Sequence, residues 1–310
     1  AAPHKATPQA AQPMLPSLPR DFQAIQPEES LADVVGHDEA KRELADLIAL
    51  LHQEAKLLRK PGPYPRGILL IGLPGTGRTM LARAVAGEAG AHFLKIDVPE
   101  LLELYREGGD LLHRLFQAAQ QLAPTIVFLD GIEVLKATRP EHDGAVEQYA
   151  DRRWFLRELL TEMGNLPPQA AVLLLASVTN LRHVNPVLLR PGRFERQVGL
   201  SLPTWSQRLE VLERQLQRVP PGEDVDLQAI ARQTVGLSWA DLTALAQRAI
   251  WHAQREGRLA VGQDDLLEAL SQVVLSGELS GQLLGAQEQR IAAFHEAGHA
   301  LLSCLLSEFP

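Results

Sequence analysis

The chain has 310 residues, 45% of them hydrophobic, a formal net charge of -8 and one cysteine, Cys304. That length fits about two domains with a sizeable core, and the acidic balance argues against a broad nucleic-acid surface. One cysteine forms no internal disulfide and fits a reducing compartment, and no apolar run approaches the ~18 residues of a membrane span.

Residues 1–20 lack the apolar centre of a secretion signal. If the natural protein is membrane-bound, its anchor is expected outside this chain, which itself is expected to be soluble. Residues 1–28, rich in Ala, Pro and Gln, read as a flexible linker. Ser30 to His37 leads into a helix expected from Asp38 to about Arg59, with Leu44, Leu47, Ile48 and Leu51 on one face. Pro61-Gly62-Pro63-Tyr64-Pro65 breaks it.

The apolar run Gly67 to Gly72 then leads into Leu73-Pro74-Gly75-Thr76-Gly77-Arg78-Thr79, and Met80 to Ala86 has helical spacing. Strand, glycine-rich loop and helix in that order form a phosphate-binding unit, reading G-x-x-x-x-G-K-T with arginine in the lysine position. Glycines let backbone N–H groups turn inward around a phosphate, and the helix N-terminus adds partial positive charge. Pro74, Gly75, Thr76, Gly77, Arg78, Thr79 and Met80 are therefore candidate nucleotide-binding residues, with the Thr79 hydroxyl a candidate Mg²⁺ ligand.

Further strands are expected at His92–Ile96, Pro124–Asp130, Ala171–Ala176 and Arg196–Leu200. Helices are expected at Pro99–Tyr105, at Asp110–Leu122 with Asp110 as N-cap, and at Ala145–Met163, with a turn at Gly108-Gly109. Strands that alternate with helices and read as continuous apolar runs predict an α/β domain over 29–204, its parallel sheet covered on both faces. Four helices from Trp205 to about Val274 predict a small all-α lid over 205–275, with an N-cap signal at Ser238-Trp239-Ala240-Asp241. Ser276–Gly285 reads as a connector, and Gln287–Leu306 as an amphipathic helix in a final segment, 276–310.

Asp130 ends an apolar strand downstream of the phosphate loop, where a carboxylate holds Mg²⁺ through water. The next position, where a second acid would deprotonate the attacking water, is Gly131, and Glu133 lies two residues on. The turn is expected to aim Glu133 elsewhere, and an acid at position 131 is expected to raise turnover. His295 and His299 lie one helical turn apart, a spacing that suits two zinc ligands, with Glu296 placed to activate water.

In this order the motifs become a resemblance. Ala32-Asp33-Val34-Val35-Gly36 with Asp38-Glu39-Ala40-Lys41, the phosphate loop followed by Ala84 to Ala89, Leu188 to Phe194, Gly236 to Leu242, and Phe294 to Ala300 resemble the FtsH-type AAA+ ATP-dependent zinc metalloprotease family. The resemblance runs from about residue 30 to the end. It implies a P-loop AAA+ fold, a helical lid and the start of a helical metallopeptidase domain. It also implies an ATP-binding ring, usually a hexamer, that threads protein substrates to a zinc peptidase. Arg190 and Arg193 match arginines that reach a neighbouring subunit's nucleotide. Val35 and Gly36 match backbone that lines the adenine. Asn180 is the best match to a polar sensor after the fourth strand, with a one-residue gap; without the gap Thr179 stands there. The family's third zinc ligand is an acid far downstream, so Zn²⁺ is expected only where a longer chain completes the site.

The departures fall on working parts. Arg78 replaces the loop lysine, Gly131 the catalytic acid, and Trp239 a glycine close to the nucleotide. Leu104-Tyr105-Arg106 stands where the family has an aromatic-apolar-glycine pore loop. The reading that follows is an FtsH-like ring subunit that binds ATP with Mg²⁺ and hydrolyses it weakly. Its partners would be homo- or hetero-hexameric ring subunits and unfolded proteins, not nucleic acid. In the full-length protein it would face the cytoplasmic side of a membrane. The alternatives are an active unfoldase-protease and an adaptor or chaperone that needs no nucleotide cycle.

Overall fold

The computed structural model describes residues 22, 24–52, 67–105, 110–136, 146–167, 170–217 and 219–279. The described residues pack as two compact units: those up to residue 211 with 235–242, and 212–234 with those from 243 on.

The first unit is built on five strands, β1 (Gly67–Gly72), β2 (His92–Asp97), β3 (Thr125–Asp130), β4 (Val172–Val178) and β5 (Arg196–Leu200). All pair in parallel, in the order β2-β3-β4-β1-β5. Successive side chains of a strand point to opposite faces, and the apolar runs therefore feed two cores. Leu69, Val127, Leu129, Leu174 and Ala176 face Leu101, Leu115, Phe116, Phe155 and Leu159. Those come from α3 (Val98–Tyr105), α4 (Leu111–Gln121) and α5 (Val146–Asn165). Ile68, Leu70, Ile126, Phe128, Leu173 and Leu175 face the other way. They pack with Leu44 and Ile48 of α1 (Asp38–His52) and Leu81, Ala82 and Val85 of α2 (Arg78–Glu88). The α/β fold with a doubly covered parallel sheet is the one expected.

Three local expectations change. Phe22 is buried in the core, and Ile25 exchanges two backbone hydrogen bonds with Phe93, at 3.0 and 2.8 Å. Two apolar residues thus anchor the end of the supposed linker to the sheet edge. Asp110 stands at the N-cap position of α4 but makes no capping hydrogen bond; its carboxylate lies 3.9 Å from Arg114 instead. The last helix continues into the expected connector as far as Leu279. One Gly costs a helix only about 1 kcal/mol relative to Ala, so Gly277 does not stop it.

The four expected helices beyond the sheet are α6 (Trp205–Gln215), α7 (Leu227–Gln233), α8 (Trp239–Arg255) and α9 (Gln263–Leu279). The Ser238–Asp241 signal forms a capping box: Ser238 Oγ accepts from Asp241 N–H at 3.3 Å, and Asp241 Oδ2 accepts from Ser238 N–H at 2.9 Å. In the second unit, Ile230, Leu245, Ala249, Leu266 and Ala269 are buried. Among the described residues no helix is long and apolar enough to cross a membrane. The break at Pro61–Pro65, the turn at Gly108-Gly109 and the helix from Gln287 lie outside the described residues.

The α8–α9 connection is tied by charge. Arg258 donates to both oxygens of Asp265, at 2.5 and 2.6 Å, and Asp265 Oδ2 also accepts from Gly262 N–H at 2.8 Å. The Arg258 hydrogen bonds hold the Asp265 carboxyl below the usual carboxylate range. A carboxyl with a depressed folded pKa stabilises the fold above its unfolded pKa of about 3.9, and that contribution is lost as pH falls through the folded value. Asp265→Asn is therefore expected to lower stability in urea at pH 7 by about 1–3 kcal/mol. The difference from wild type should shrink as the pH is taken below ~4. A difference that stays constant with pH would contradict the assignment.

Candidate functional site

Strand order places the site. β4 lies between β3 and β1, so the loop after β1 and the acid ending β3 flank the end of β4. The carboxyl ends of parallel strands are where such folds bind ligands.

The loop has the form of an anion cradle. Gly75 and Gly77 have φ of 77° and 86°, conformations that cost an L-residue ~1–2 kcal/mol. Thr76 is buried, with N–H and hydroxyl both donating to Leu73 O, at 3.2 and 2.8 Å. Gly77 caps α2 without any side-chain hydrogen bond, and no acid stands in the helix's first turn. Nothing internal thus competes for the free N–H groups at that terminus. Arg78 begins the helix, and its Nη1 is buried without a hydrogen-bond partner. An orphaned guanidinium N–H at the start of a helix fits a phosphate. Thr79 is half-buried beside it, Met80 is 46% exposed and Pro74 is exposed.

Asp130 is held on both oxygens. Ser177 Oγ of β4 donates to its Oδ1, and Lys95 Nζ of β2 lies 3.5 Å from its Oδ2. The same Ser177 Oγ accepts from Gly131 N–H at 3.2 Å. Ser177 was not singled out in the sequence, where it reads as one more small residue in a buried strand. The signal that could have found it is polarity: it is the one hydroxyl in Val172–Val178.

Beyond Asp130 the chain turns sharply. Gly131 has φ 75° and ψ 41° and starts a 3₁₀ turn, Ile132–Leu135. A Cβ there would meet Pro99 Cδ at 3.3 Å. An acid at 131 would enter a left-handed backbone, so the expected gain from restoring it comes with strain. Glu133 is turned toward β4, accepting from Thr179 Oγ1 at 3.4 Å, while its Oε2 is buried without a partner. It lines a groove of about 450 Å³ with Gly131, Lys136, Arg152 and His183.

Asn180, the sensor match, is exposed, and its Oδ1 accepts from Arg182 N–H at 2.9 Å; Thr179 is the neighbour that faces Glu133. Val35 is buried against Val211 and Leu242, with Leu237 and Trp239 packed on them. Gly36 follows with φ 69°. Next to it, His37 Nε2 donates to Thr76 O at 2.9 Å, and burial lowers the imidazole's pKa. Arg190 is exposed and its guanidinium makes no hydrogen bond or ion pair with the described residues. Arg193 is turned inward, donating through Nη1 to Val187 O. Arg106, His295, Glu296 and His299 lie outside the described residues, as do the side-chain surroundings of Tyr105.

Residues 68–202 match the model of the ATPase family associated with various cellular activities, AAA. The chain is 40% identical over 278 residues to the ATP-dependent zinc metalloprotease FtsH 3 of Sphaerobacter thermophilus, covering 89% of this chain and 56% of that protein. It is 40% identical to FtsH 1 of Sorangium cellulosum over 89% of this chain and 44% of the relative. With FtsH of Syntrophotalea carbinolica the identity is 39%, over 89% and 42%. The chain belongs to the FtsH-type AAA+ family. It spans about half the length of the curated relatives it matches. The phosphate loop, Asp130 and the arginine pair stand on the elements described.

The left-handed backbone at Gly131 makes a signed prediction. Gly131→Ala should lower stability in urea by about 1–2 kcal/mol. If position 131 were an ordinary backbone that had merely lost an acid, Ala would be neutral or stabilising by up to ~1 kcal/mol.

Proposed function

We propose that this chain is an AAA+ ring subunit that binds ATP with Mg²⁺ and hydrolyses it slowly. The observation that carries the reading is the buried, unpartnered Arg78 Nη1 in a loop whose glycines take left-handed backbone. The N–H groups of residues 75 and 77–79 and the Arg78 guanidinium would hold the phosphates. The Thr79 hydroxyl and Asp130, oriented by Ser177 and Lys95, would hold Mg²⁺. Bound ATP supplies a phosphoanhydride whose hydrolysis can drive a conformational cycle. Gly131 has no side chain to take a proton from water, which supports slow hydrolysis. The domain scheme goes with this reading: an AAA+ domain over 29–204, a lid over 205–275 and the beginning of an HExxH peptidase domain in 276–310. So do a ring of like or related subunits, protein substrates, a membrane on one side in the full-length protein, and zinc at His295 and His299 in a completed site with Glu296 as base.

The second reading is a working ATPase in which Glu133 supplies the base. One observation favours it: Glu133 Oε2 is buried with no partner close after Asp130. Its pairing with Thr179 favours a structural role instead.

Calorimetry with a non-hydrolysable ATP analogue and Mg²⁺ tests the first reading. Wild type is expected to bind weakly and Arg78→Ala more weakly still; no heat at millimolar analogue would overturn it. Phosphate release separates the two readings. Slow release unchanged by Glu133→Gln is expected. A fall of about 10²-fold or more in that variant would assign the base to Glu133. For the ring, Arg190→Ala should weaken nucleotide-dependent assembly in sedimentation while leaving the melting temperature unchanged; a wild type that stays monomeric at high concentration with ATP would contradict assembly through this chain alone.

A further inference from the structure

Resting on the nucleotide reading above, we propose that Trp239 is a resident occupant of the base side of the site. Its indole fills the slot beside the phosphate loop that a planar nucleobase would take.

The slot and the loop are one piece of structure. Ala240 N–H donates to Gly75 O at 3.1 Å, which carries the start of α8 to the loop. His37 bonds Thr76 O from the other side, at 2.9 Å. Between these two anchors lies the indole. Its Cη2 would stand 2.6 Å from a Cβ at Gly36, so the six-membered ring lies directly on the Gly36 backbone. Its centroid is 4.9 Å from the His37 ring, and Nε1 donates to Ser201 O at 3.4 Å. Val35, Val211 and Leu242 supply an apolar wall.

That lining is suited to a purine: apolar carbon on one side, a glycine with no Cβ below, an imidazole beside it, and a carbonyl that can accept from the exocyclic amino group of adenine. An indole is a fused planar bicycle of purine size with one N–H, and it satisfies the same partners. A base can enter only when the indole leaves. The apparent affinity then falls by the fraction of molecules with the slot open. The loop residues that meet phosphate are untouched by this competition. The site therefore recognises polyphosphate while drawing little from the nucleoside.

Calorimetry with Mg²⁺ tests this on wild type, Trp239→Gly and Trp239→Ala, using a non-hydrolysable ATP analogue and inorganic tripolyphosphate. In wild type the two ligands should bind with similar affinity. In the variants the analogue should tighten by about tenfold or more, the gain expected if the slot is open in ~10% of molecules or fewer, while tripolyphosphate holds its wild-type affinity. Should either variant fail to fold, fluorescence on a chain with Trp154, Trp205 and Trp251 replaced by Phe answers instead; Trp154 and Trp251 are 56% exposed and Trp205 41%. There the analogue should shift Trp239 emission to the red and tripolyphosphate should not. If tripolyphosphate binds but the analogue gains nothing in the variants, or the emission stays still with analogue bound, the role of Trp239 is overturned and the phosphate site stands. If neither ligand binds any form, the nucleotide reading falls and takes this one with it.

Discussion

The pairing of β4 with β3 on one side and β1 on the other is the constraint from which the α/β unit follows. All seven residues of Val172–Val178 are buried, and both edges of the strand are hydrogen-bonded in parallel. A strand covered on both faces and both edges is read in sequence as an unbroken apolar run. Its burial sets the register of its neighbours, Gly67 with Leu174 and Thr125 with Val172. Those registers bring Gly72 and Asp130 to the same end of the sheet. The end of β4 then delivers Ser177 and Thr179 between them, where they orient Asp130 and Glu133.

On that frame stand the loop proposed to hold phosphate and the glycine that follows Asp130. A buried guanidinium nitrogen without a partner costs roughly 1–3 kcal/mol when no anion meets it. Arginine in place of lysine substitutes a wide planar fork for a compact point charge. The acid position has gone to a glycine that the turn itself uses, and Pro99 leaves no slack above it. Lys95 adds little energy as a half-exposed pair with Asp130; its effect is to fix which way the carboxylate points.

Much of this was legible in the residues because period and punctuation speak for local structure. The five strands, the helices between them and the capping box at Ser238 follow from apolar runs, helical spacing and one Ser–Asp signal. What was not legible depends on tertiary neighbours. Nothing in the sequence says that Arg193 turns inward to Val187 while Arg190 stays exposed, since both read as arginines of one motif. The left-handed backbone of Gly131 cannot be told from a simple loss of side chain until Pro99 and Ser177 are in view. Ser177 hides inside a buried strand. Phe22 and Ile25 hide in a polar stretch whose composition points to linker, because two apolar anchors barely alter an average. Asp110 shows the reverse: the right residue at the right position makes no capping hydrogen bond.

The measurement that bears most directly on the central claim, that residues 74–79 are a working phosphate cradle served by Arg78, is a crystal structure of the chain with Mg²⁺ and a non-hydrolysable ATP analogue. The analogue's phosphates are expected on the loop, with Arg78 Nη1 within hydrogen-bonding distance of a phosphate oxygen. An analogue seated elsewhere, or phosphates on the loop with the Arg78 guanidinium still without a partner, would contradict it.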